Sequence, residues 1–379
     1  MDVSDVTALY EVFCQVSDPR KRRGVRHPLP AVLTMLALAV LCGARNFRQA
    51  ADRVAELPTL LLAAAGARLD PRHGRRMPPS RDTLRRLAET IDAAATDRLL
   101  CQWIATRIPP PIDGVRPGLA LDGKTVRASH DGDPANNVKL FSAMRHDTAV
   151  VIAQLRVPDD TTEVTQVQTL LDPVEIAGTV ITADAAHPST ETAAYLHQRG
   201  AGYVFTVKGN RPALLAAIWQ RLPAATSDTA AHTHREHRSG VIIERRIWTA
   251  DAAGIDFPAA AQVFRIRRDT YDLTGQRLRK DIVHGITNLA VQATTAADIA
   301  DYTRRHWGIE NKIHWVRDVI FAEDHHHAWL GATAHTMALF RNLAIGLIRL
   351  AGHTKIKQVL ERLHGNKLLI LPLLTASRT

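Results

Sequence analysis

The proline-rich stretch Ile108-Pro109-Pro110-Pro111 constrains the fold more than any other feature of this sequence. With Gly114 and Gly118 behind it, the stretch can continue neither a helix nor a central strand. Residues 1–108 before it carry helical patterns, whereas three short β-rich runs, GLALDGKTVRAS, VKLFSAM and AVVIAQLRV, follow it. The sequence therefore predicts an all-helical N-terminal domain and a separate α/β domain.

Helix and strand patterns alternate after these three runs. TEVTQVQTLLDPV reads as a helix, GTVITADAA as a strand, PSTETAAYLHQRG as a helix and AGYVFTVKG as a strand. From residue 210 onward a helix and a Ser/Thr/Ala/His loop lead into the strand-like runs VIIERRIWTA, AAQVFRIRRDTYD and RKDIVHGITN. This order predicts a ribonuclease H-like α/β core with a mainly β insertion. The expected boundaries are 1–108 (helical), 109–210 (first part of the core), 211–290 (insertion) and 291–379 (last part of the core with a basic helical tail).

Within the N-terminal region, two segments carry specific expectations. The apolar run from Leu29 to Cys42 is shorter than the roughly 20 residues that span a membrane and starts too late for a signal peptide, so it predicts a buried helix. Ser80 is a suitable N-cap for one helix over RDTLRRLAETIDAAATDRLLCQWI. Six arginines crowd its start and predict either a DNA-binding element or a solvated basic face: Arg72, Arg75, Arg76, Arg81, Arg85 and Arg86.

The charge balance and the cysteines indicate a partner and a compartment. Lys and Arg number 48 against 38 for Asp and Glu, which gives a net charge of +10 and favours nucleic acid as the partner. The three cysteines are isolated and form no C-x-x-C pair, which is typical of a reducing cytoplasm. We therefore expect a cytoplasmic protein with a nucleic-acid partner and no membrane role.

The stretch ADIADYTRRHWGIENKIHWVRDVIFAED, residues 296–324, concentrates chemically active side chains. Asp298 to Asp318 contains no proline and predicts one long helix, on which Glu310, His314 and Arg317 lie one turn apart. Trp307 and Trp315 would flank that row. The pattern fits either a functional site or an amphipathic surface helix with a solvated charged face.

Two aspartates follow apolar strand-like runs and predict a metal site. Asp122 closes Gly118 to Leu121, and Asp184 closes Val180 to Ala183. A carboxylate at the end of an apolar strand is costly to bury unless it meets a cation, so these two and Glu310 suggest a shared metal cluster. Oxygen ligands favour Mg²⁺ or Mn²⁺. Each aspartate by itself also fits a turn cap.

Three blocks closely resemble those of bacterial insertion-sequence transposases of the DDE class. They are DGKTVRAS at Asp122, TADAAH at Asp184 with VKGNRPALL after it, and HWGIENKIHWVRDVIFAED around Glu310. The nearest group contains the H-repeat-associated proteins of Rhs elements, whose N-terminal domain resembles DPRKRRGVRHPLPAVLTMLALAVLCGARNFRQAADRV. The resemblance covers most of the chain.

The resemblance implies that Asp122, Asp184 and Glu310 hold two Mg²⁺ or Mn²⁺ ions and act as the catalytic carboxylates. The related pattern Y-x2-R-x3-E-x6-K is met loosely, because four residues separate Arg305 from Glu310 and Arg317 stands in the place of the lysine. Tyr302, His314 and Arg317 are possible auxiliary residues, and His187 fits either a site or a loop. The candidate contacts to DNA phosphates are Lys124, Lys208, Arg304, Arg305, Arg81, Arg85 and Arg86.

The expected function is that of a DNA transposase. It would cleave the double-stranded ends of its own element and join the 3′-hydroxyls to target DNA, as a homodimer or larger assembly. The alternatives are an inactive element-derived DNA-binding protein and a cellular ribonuclease H-like nuclease. A further alternative, zinc or nickel at residues 232–237 or 325–327, lacks a spaced second pair of ligands.

Overall fold

The computed structural model describes residues 2–23, 25–112, 114–127, 129–185, 188–222 and 229–375, so His187 lies outside the described residues. Its α-helices are α1 (Ser4–Cys14), α2 (Leu29–Leu41), α3 (Phe47–Ala55), α4 (Thr59–Ala64), α5 (Arg81–Thr90), α6 (Ala93–Ala105), α7 (Val167–Leu171), α8 (Thr190–Gln198), α9 (Pro212–Arg221), α10 (Ala296–His306), α11 (Thr333–Leu350), α12 (Ile356–Gly365) and α13 (Ile370–Thr375). Two segments are π-helical, Glu310–His314 and Val316–Ile320.

The strands form one two-stranded and one large mixed sheet. They are β1 (Arg68–Asp70), β2 (Arg75–Met77), β3 (Gly118–Val126), β4 (Val138–Arg145), β5 (Val151–Val157), β6 (Val180–Ala183), β7 (Gly202–Val207), β8 (His232–Arg238), β9 (Val241–Asp251), β10 (Gln262–Tyr271) and β11 (Arg277–Thr287). The expectation of a mixed α/β architecture is confirmed.

The chain divides into two compact units, each assembled from separate stretches. The first unit comprises Met1–Pro110, Gly123–Thr162 and Ile309–Thr379. The second unit comprises Pro111–Asp122 and Glu163–Gly308. Strand β3 therefore contributes to both, and Asp122 is the last residue of its part in the second unit.

The first unit has a helical core around α2. Every residue of α2 except Pro30 is buried, which confirms the buried helix predicted from its apolar run. Helix α11 is also buried along most of its length. In the same unit, Val126 of β3 and Leu140 of β4 form one apolar cluster with Ala334 and Ala338 of α11. Burial of apolar side chains thus joins the strands of this unit to its longest helix.

Two expectations for the N-terminal region need correction. It is not all-helical, because β1 and β2 pair antiparallel as a hairpin that turns through Gly74, whose φ is 62°. Helix α5 ends at Thr90, and Asp92 starts α6 by accepting the Ala95 N–H at 2.9 Å, so the predicted single helix is two. The N-cap prediction is confirmed, because the Ser80 hydroxyl accepts the Thr83 N–H at 3.3 Å.

The second unit is built on the strand order β3-β6-β7-β11-β10-β9-β8. β3, β6 and β7 are parallel, and β11 returns antiparallel to β7. Ile299 of α10 packs in the core of this unit with Val180, Val204 and Phe264. The three strand-like runs predicted after residue 240 are β9, β10 and β11. The stretch predicted as a loop before them includes β8, an edge strand whose charged residues give no apolar alternation.

Among the helices that the structure describes, none combines the length and apolar character needed to cross a membrane.

Candidate active site

Asp122 and Asp184 each come directly after the last residue pair that joins two neighbouring parallel strands. β3 pairs with β6 from Gly118↔Val180 to Leu121↔Ala183, so the next position on each chain is an aspartate. Adjacent strands lie about 4.8 Å apart, and residues in register on a parallel pair point to the same face. Both aspartates are half-buried. Strand β3 continues to Val126, so Asp122 lies inside its strand and the prediction that it forms a strand tip is wrong.

Lys208 follows the next parallel strand at the same edge of the sheet. β7 pairs with β6 up to Ala183↔Phe205 and ends at Val207, and the exposed Lys208 comes directly after it. The loop after Asp184 is held from this side, because the Asn210 amide donates to the Ala185 carbonyl at 2.7 Å. The ends of the paired segments of β3, β6 and β7 thus carry two carboxylates and one ammonium group.

Helix α10 is tied to the same strand that leads to Asp184. The His306 ring nitrogen Nδ1 lies 3.1 Å from the Thr182 hydroxyl, and Thr182 lies on β6 two positions before Asp184. The Tyr302 hydroxyl donates to the Arg116 carbonyl at 2.9 Å, and burial raises the pKa of this tyrosine.

The two predicted DNA-binding arginines of α10 pair with one acid of the same helix. Arg304 and Arg305, both about half exposed, each lie 2.5 Å from the Asp301 carboxylate.

The segment that carries Glu310 is not the regular helix predicted from its composition. After a turn at Trp307 the chain winds as a π-helix, in which the Trp315 N–H bonds to the Glu310 carbonyl and the Phe321 N–H to the Val316 carbonyl. π-Helical turns are rare and are found frequently at functional sites. Glu310, at the start of the first π-helical segment, is exposed.

His314 and Arg317 do not share an exposed face with Glu310. His314 is 7% exposed, and its burial, together with the nearby Arg317 and Lys124, lowers its pKa to about 3. Arg317 is fully buried and its guanidinium lies 2.8 Å from Glu323. The expectation of one functional stripe is therefore wrong, because it assumed α-helical spacing throughout.

Lys124 is also buried rather than presented to solvent. Its side chain is 7% exposed and its ammonium lies 2.6 Å from Asp318 and 4.0 Å from Glu323. This engagement argues against the predicted phosphate contact at Lys124. Burial raises the pKa of Asp318, although Lys124 opposes that shift.

Glu323 is the centre of this buried network in the first unit. It is fully buried and accepts from Arg317 and, at 2.6 Å, from Arg341. Burial by itself would raise the pKa of Glu323, but the two guanidinium groups outweigh that effect and lower it to about 2. Arg317 also donates to Gln154, whose amide donates to Asp97 at 2.7 Å. The signal for this network in the sequence is Arg341, a single charge inside the apolar run MALFRNLAIGL.

Asp122 and Asp184 offer carboxylate oxygens, the donors that Mg²⁺ and Mn²⁺ prefer. Among the residues that the structure describes, no group of three or more His, Cys, Asp or Glu side chains is placed to hold a metal ion. Glu310 belongs to the first unit and the two aspartates to the second. Its role as third ligand stays a prediction.

The His-rich stretches lie in unlike surroundings. His232 to His237 fall on the edge strand β8, and His326 packs edge-on against Phe47 with ring centroids 5.4 Å apart. Burial lowers the pKa of His326 to about 4, with Arg341 adding to the shift.

The predicted DNA-binding arginines of α5 lie on its outer face. Arg81 and Arg86 are exposed and Arg85 is half-buried, whereas Leu84 and Leu87 face the core. Arg85 pairs with Glu89 and Arg81 with Asp82. None of the three arginines takes an apolar position of the helix.

Protein-family models match both the region that contains the two aspartates and the region before it. The model of the transposase DDE domain matches residues 113–347, a stretch that contains both aspartates and Glu310. The chain belongs to this transposase family. A second model, described as associated with that DDE domain, matches residues 10–104 of this family member.

Relatives of this DDE family member carry matching names. "Putative transposase YncI" of Escherichia coli O157:H7 is 25% identical over 359 residues, which cover 91% of this chain and 88% of the relative. "H repeat-associated putative transposase YhhI" of Escherichia coli K12 is 24% identical, with 91% of each chain covered. The resemblance to the H-repeat group is thus confirmed.

Among solved structures, a piggyBac transposase synaptic complex with hairpin DNA aligns with a TM-score of 0.41 and 11% sequence identity. The alignment covers 99% of this chain and 78% of that one.

Proposed function

We propose that this protein is an active DNA transposase with a ribonuclease H-like core. It binds the ends of its own mobile element, cleaves them with divalent metal ions and joins the freed 3′-hydroxyls to target DNA. The observation that carries the proposal is the position of Asp122 and Asp184 directly after the last paired residues, Leu121 and Ala183, of two adjacent parallel strands, in a chain that matches the transposase DDE domain.

Asp122, Asp184 and Glu310 would hold the ions. When bound, two Mg²⁺ or Mn²⁺ ions would supply Lewis-acid stabilisation of the charge that develops during phosphodiester cleavage. The chain's own contribution is to hold the carboxylates in place. For the aspartate pair, the β3–β6 pairing, which ends at Leu121↔Ala183, would fix the backbone immediately before each carboxylate.

The cations around this site suit a DNA backbone. Lys208 is exposed at the same edge of the sheet as the aspartates, and Arg304 and Arg305 are exposed on α10. Lysine and arginine near a phosphodiester orient it and offset its charge. Arg81, Arg85 and Arg86 would bind element ends elsewhere on the protein. Because two ends have to be brought together, the DNA complex would be a homodimer or a larger assembly, and its DNA would associate it with the nucleoid.

A strand-transfer assay with Asp122→Asn and Asp184→Asn tests the proposal. Each variant removes one metal-ligand charge and leaves the side-chain shape nearly unchanged, so cleavage and joining should fall to background while DNA binding is kept. Asp256→Asn, on an exposed loop of the second unit, is the matched control and should act like the wild type.

The same assay separates the alternatives. A wild-type protein that binds element ends but neither cuts nor joins them would be an inactive element-derived DNA-binding protein. Cutting without joining would indicate a nuclease. If either aspartate variant cleaves at near the wild-type rate with Mg²⁺, the two-metal assignment is wrong.

A further inference from the structure

Two ion pairs, one fully buried and one partly exposed at Asp318, hold consecutive residues of the second π-helical segment, Val316–Ile320. Arg317 binds Glu323, and Asp318 lies 2.6 Å from the Lys124 ammonium on β3. All four residues belong to the first unit. Successive residues of a helix point in different directions around its axis, so two such contacts fix the rotation of the segment as well as its position.

An ion pair in the interior of a protein is not in itself evidence of a more stable fold. Buried ion pairs are expensive to desolvate, and apolar residues of similar volume are often as stable or more stable in their place. Lys124 has a side chain that is only 7% exposed, a position where a methionine would pack without an ion partner. The Lys124–Asp318 pair, in which the lysine is buried and the aspartate is 34% exposed, is therefore better placed to fix a geometry than to add free energy of folding.

The geometry that needs support here is the π-helical winding. Such winding is rare, and unusual backbone conformations persist when the surrounding structure holds them in place. The winding runs from Glu310, whose carbonyl accepts the Trp315 N–H, into the segment that carries Arg317 and Asp318. Rewinding of that segment to a regular helix would change the direction in which Glu310 points.

Lys124 lies on the same strand as Asp122. The two residues are two positions apart on β3, and residues so spaced share one face of a strand. The ion pair between Lys124 and Asp318 therefore links the part of β3 that belongs to the first unit to the segment that begins with Glu310.

We propose that Lys124 and Asp318 act as a positioning pair: they hold the π-helical segment in register with β3 and so set the orientation of Glu310. Neither residue touches the reacting atoms in this proposal. The proposal rests on the proposed function for its effect on cleavage, but its effect on the π-helical segment is independent of that function.

The test uses the full chain in four forms: wild type, Lys124→Met, Asp318→Asn and the double variant. Each single change leaves one charge of the pair without its partner, whereas the double change leaves neither. The double variant should therefore regain part of the stability that the single variants lose. Lys139→Met removes an exposed lysine of β4 in the same unit and is the matched control.

Positioning predicts a result that a purely structural role does not. In Lys124→Met and in the double variant, the single-turnover cleavage rate of folded protein at saturating DNA should fall by about 100-fold, the effect expected of a misplacement of about 1 Å. The Kd for element-end DNA should stay unchanged. Amide hydrogen exchange from residues 310 to 321 should become faster in both variants, even where the global stability of the double variant has recovered.

Other outcomes overturn the proposal. A double variant that cleaves at the wild-type rate with unchanged exchange would make the pair structural only. A weaker Kd with an unchanged rate at saturating DNA would make Lys124 a phosphate contact instead. If Lys124→Met does not fold, Asp318→Asn and the double variant decide the question by the same measurements. If the wild type itself does not cleave, the proposed function fails, and hydrogen exchange alone still supports or overturns the positioning pair.

Discussion

Glu310 and Glu323 lie on one stretch of chain, and the structure gives them opposite surroundings. Glu310 is exposed at the start of a π-helical segment, whereas Glu323 is fully buried between Arg317 and Arg341. A carboxylate already bonded to two guanidinium groups has little capacity left for a metal ion, and its removal would leave buried cations unpaired. Burial, rather than residue type, therefore distinguishes Glu310, which solvent can reach, from Glu323, which neutralises buried arginines.

The largest expected effect is on cleavage, at Glu310. Glu310→Gln should lower the rate of Mg²⁺-dependent cleavage by about 1,000-fold or more, equivalent to about 4 kcal/mol of transition-state stabilisation. Its melting temperature should stay near that of the wild type, because the side chain is exposed. Single-turnover assays beside thermal melts measure both, and Glu361→Gln, exposed on α12, controls for loss of a surface charge. An active Glu310→Gln with a dead, well-folded Asp318→Asn would move the third ligand down the chain.

Glu323→Gln should show the reverse behaviour. Removal of one partner from a buried ion-pair network costs about 3–5 kcal/mol, so the free energy of unfolding in urea should fall by that amount. Cleavage per folded molecule should be largely kept. A variant of normal stability without activity would contradict a structural role for this glutamate.

The buried surroundings of Glu323 also predict acid sensitivity. The pKa of His314 is about 3 in the folded protein against an ordinary value of 6.5, so the unfolded chain binds its proton first and stability falls as the pH drops below 6.5. At pH 5 the loss from this group is about 2 kcal/mol. Glu323, with a pKa of about 2, adds a further loss as the pH falls below its ordinary value of 4.5. Urea unfolding between pH 8 and pH 4 measures the slope, which His314→Gln should flatten between pH 6.5 and pH 5.

The smallest effect is expected at three arginines of α5, of which Arg81 and Arg86 are exposed like Glu310 and Arg85 is half-buried. Replacing Arg81, Arg85 and Arg86 together by alanine should reduce the slope of log affinity against log salt by about 0.9 for each DNA phosphate that the variant no longer neutralises, so by about 2.7 at most. The melting temperature and the cleavage rate at saturating DNA should change little. Arg98→Ala, exposed on α6, is the single-charge control. An unchanged slope would remove α5 from the DNA-binding surface.

Local patterns in the sequence were sufficient for much of the fold. The apolar run of α2, the Ser80 cap and the strands around Asp184 are fixed by neighbours in sequence, and these features appear as predicted. Strand β8 gave no signal, because an edge strand of charged residues lacks apolar alternation. Helix α5 ends at Thr90 although the helical pattern continues, and the sequence offered only Asp92 as a sign of a second start.

Less of the candidate site than of the fold could be predicted from the sequence. Asp122 and Asp184 could be found because each follows an apolar run that belongs in a sheet. The burial of Lys124 and Arg317 could not, because it depends on Asp318 and Glu323, and only the folded chain shows which cations these acids meet. The π-helical conformation could not be predicted either, because the segment has the composition of an ordinary α-helix.

The division of the first unit among three stretches of chain has a consequence for its synthesis. The β3 strand with Lys124 leaves the ribosome well before Arg341, and most of the second unit is made in between. Contacts between residues so far apart in sequence form late and slowly. A chain that stops before α11 would lack the Arg341 partner of Glu323. An unfinished polypeptide would thus be unable to complete the buried network of the first unit, and that unit would reach its full stability only in the finished protein.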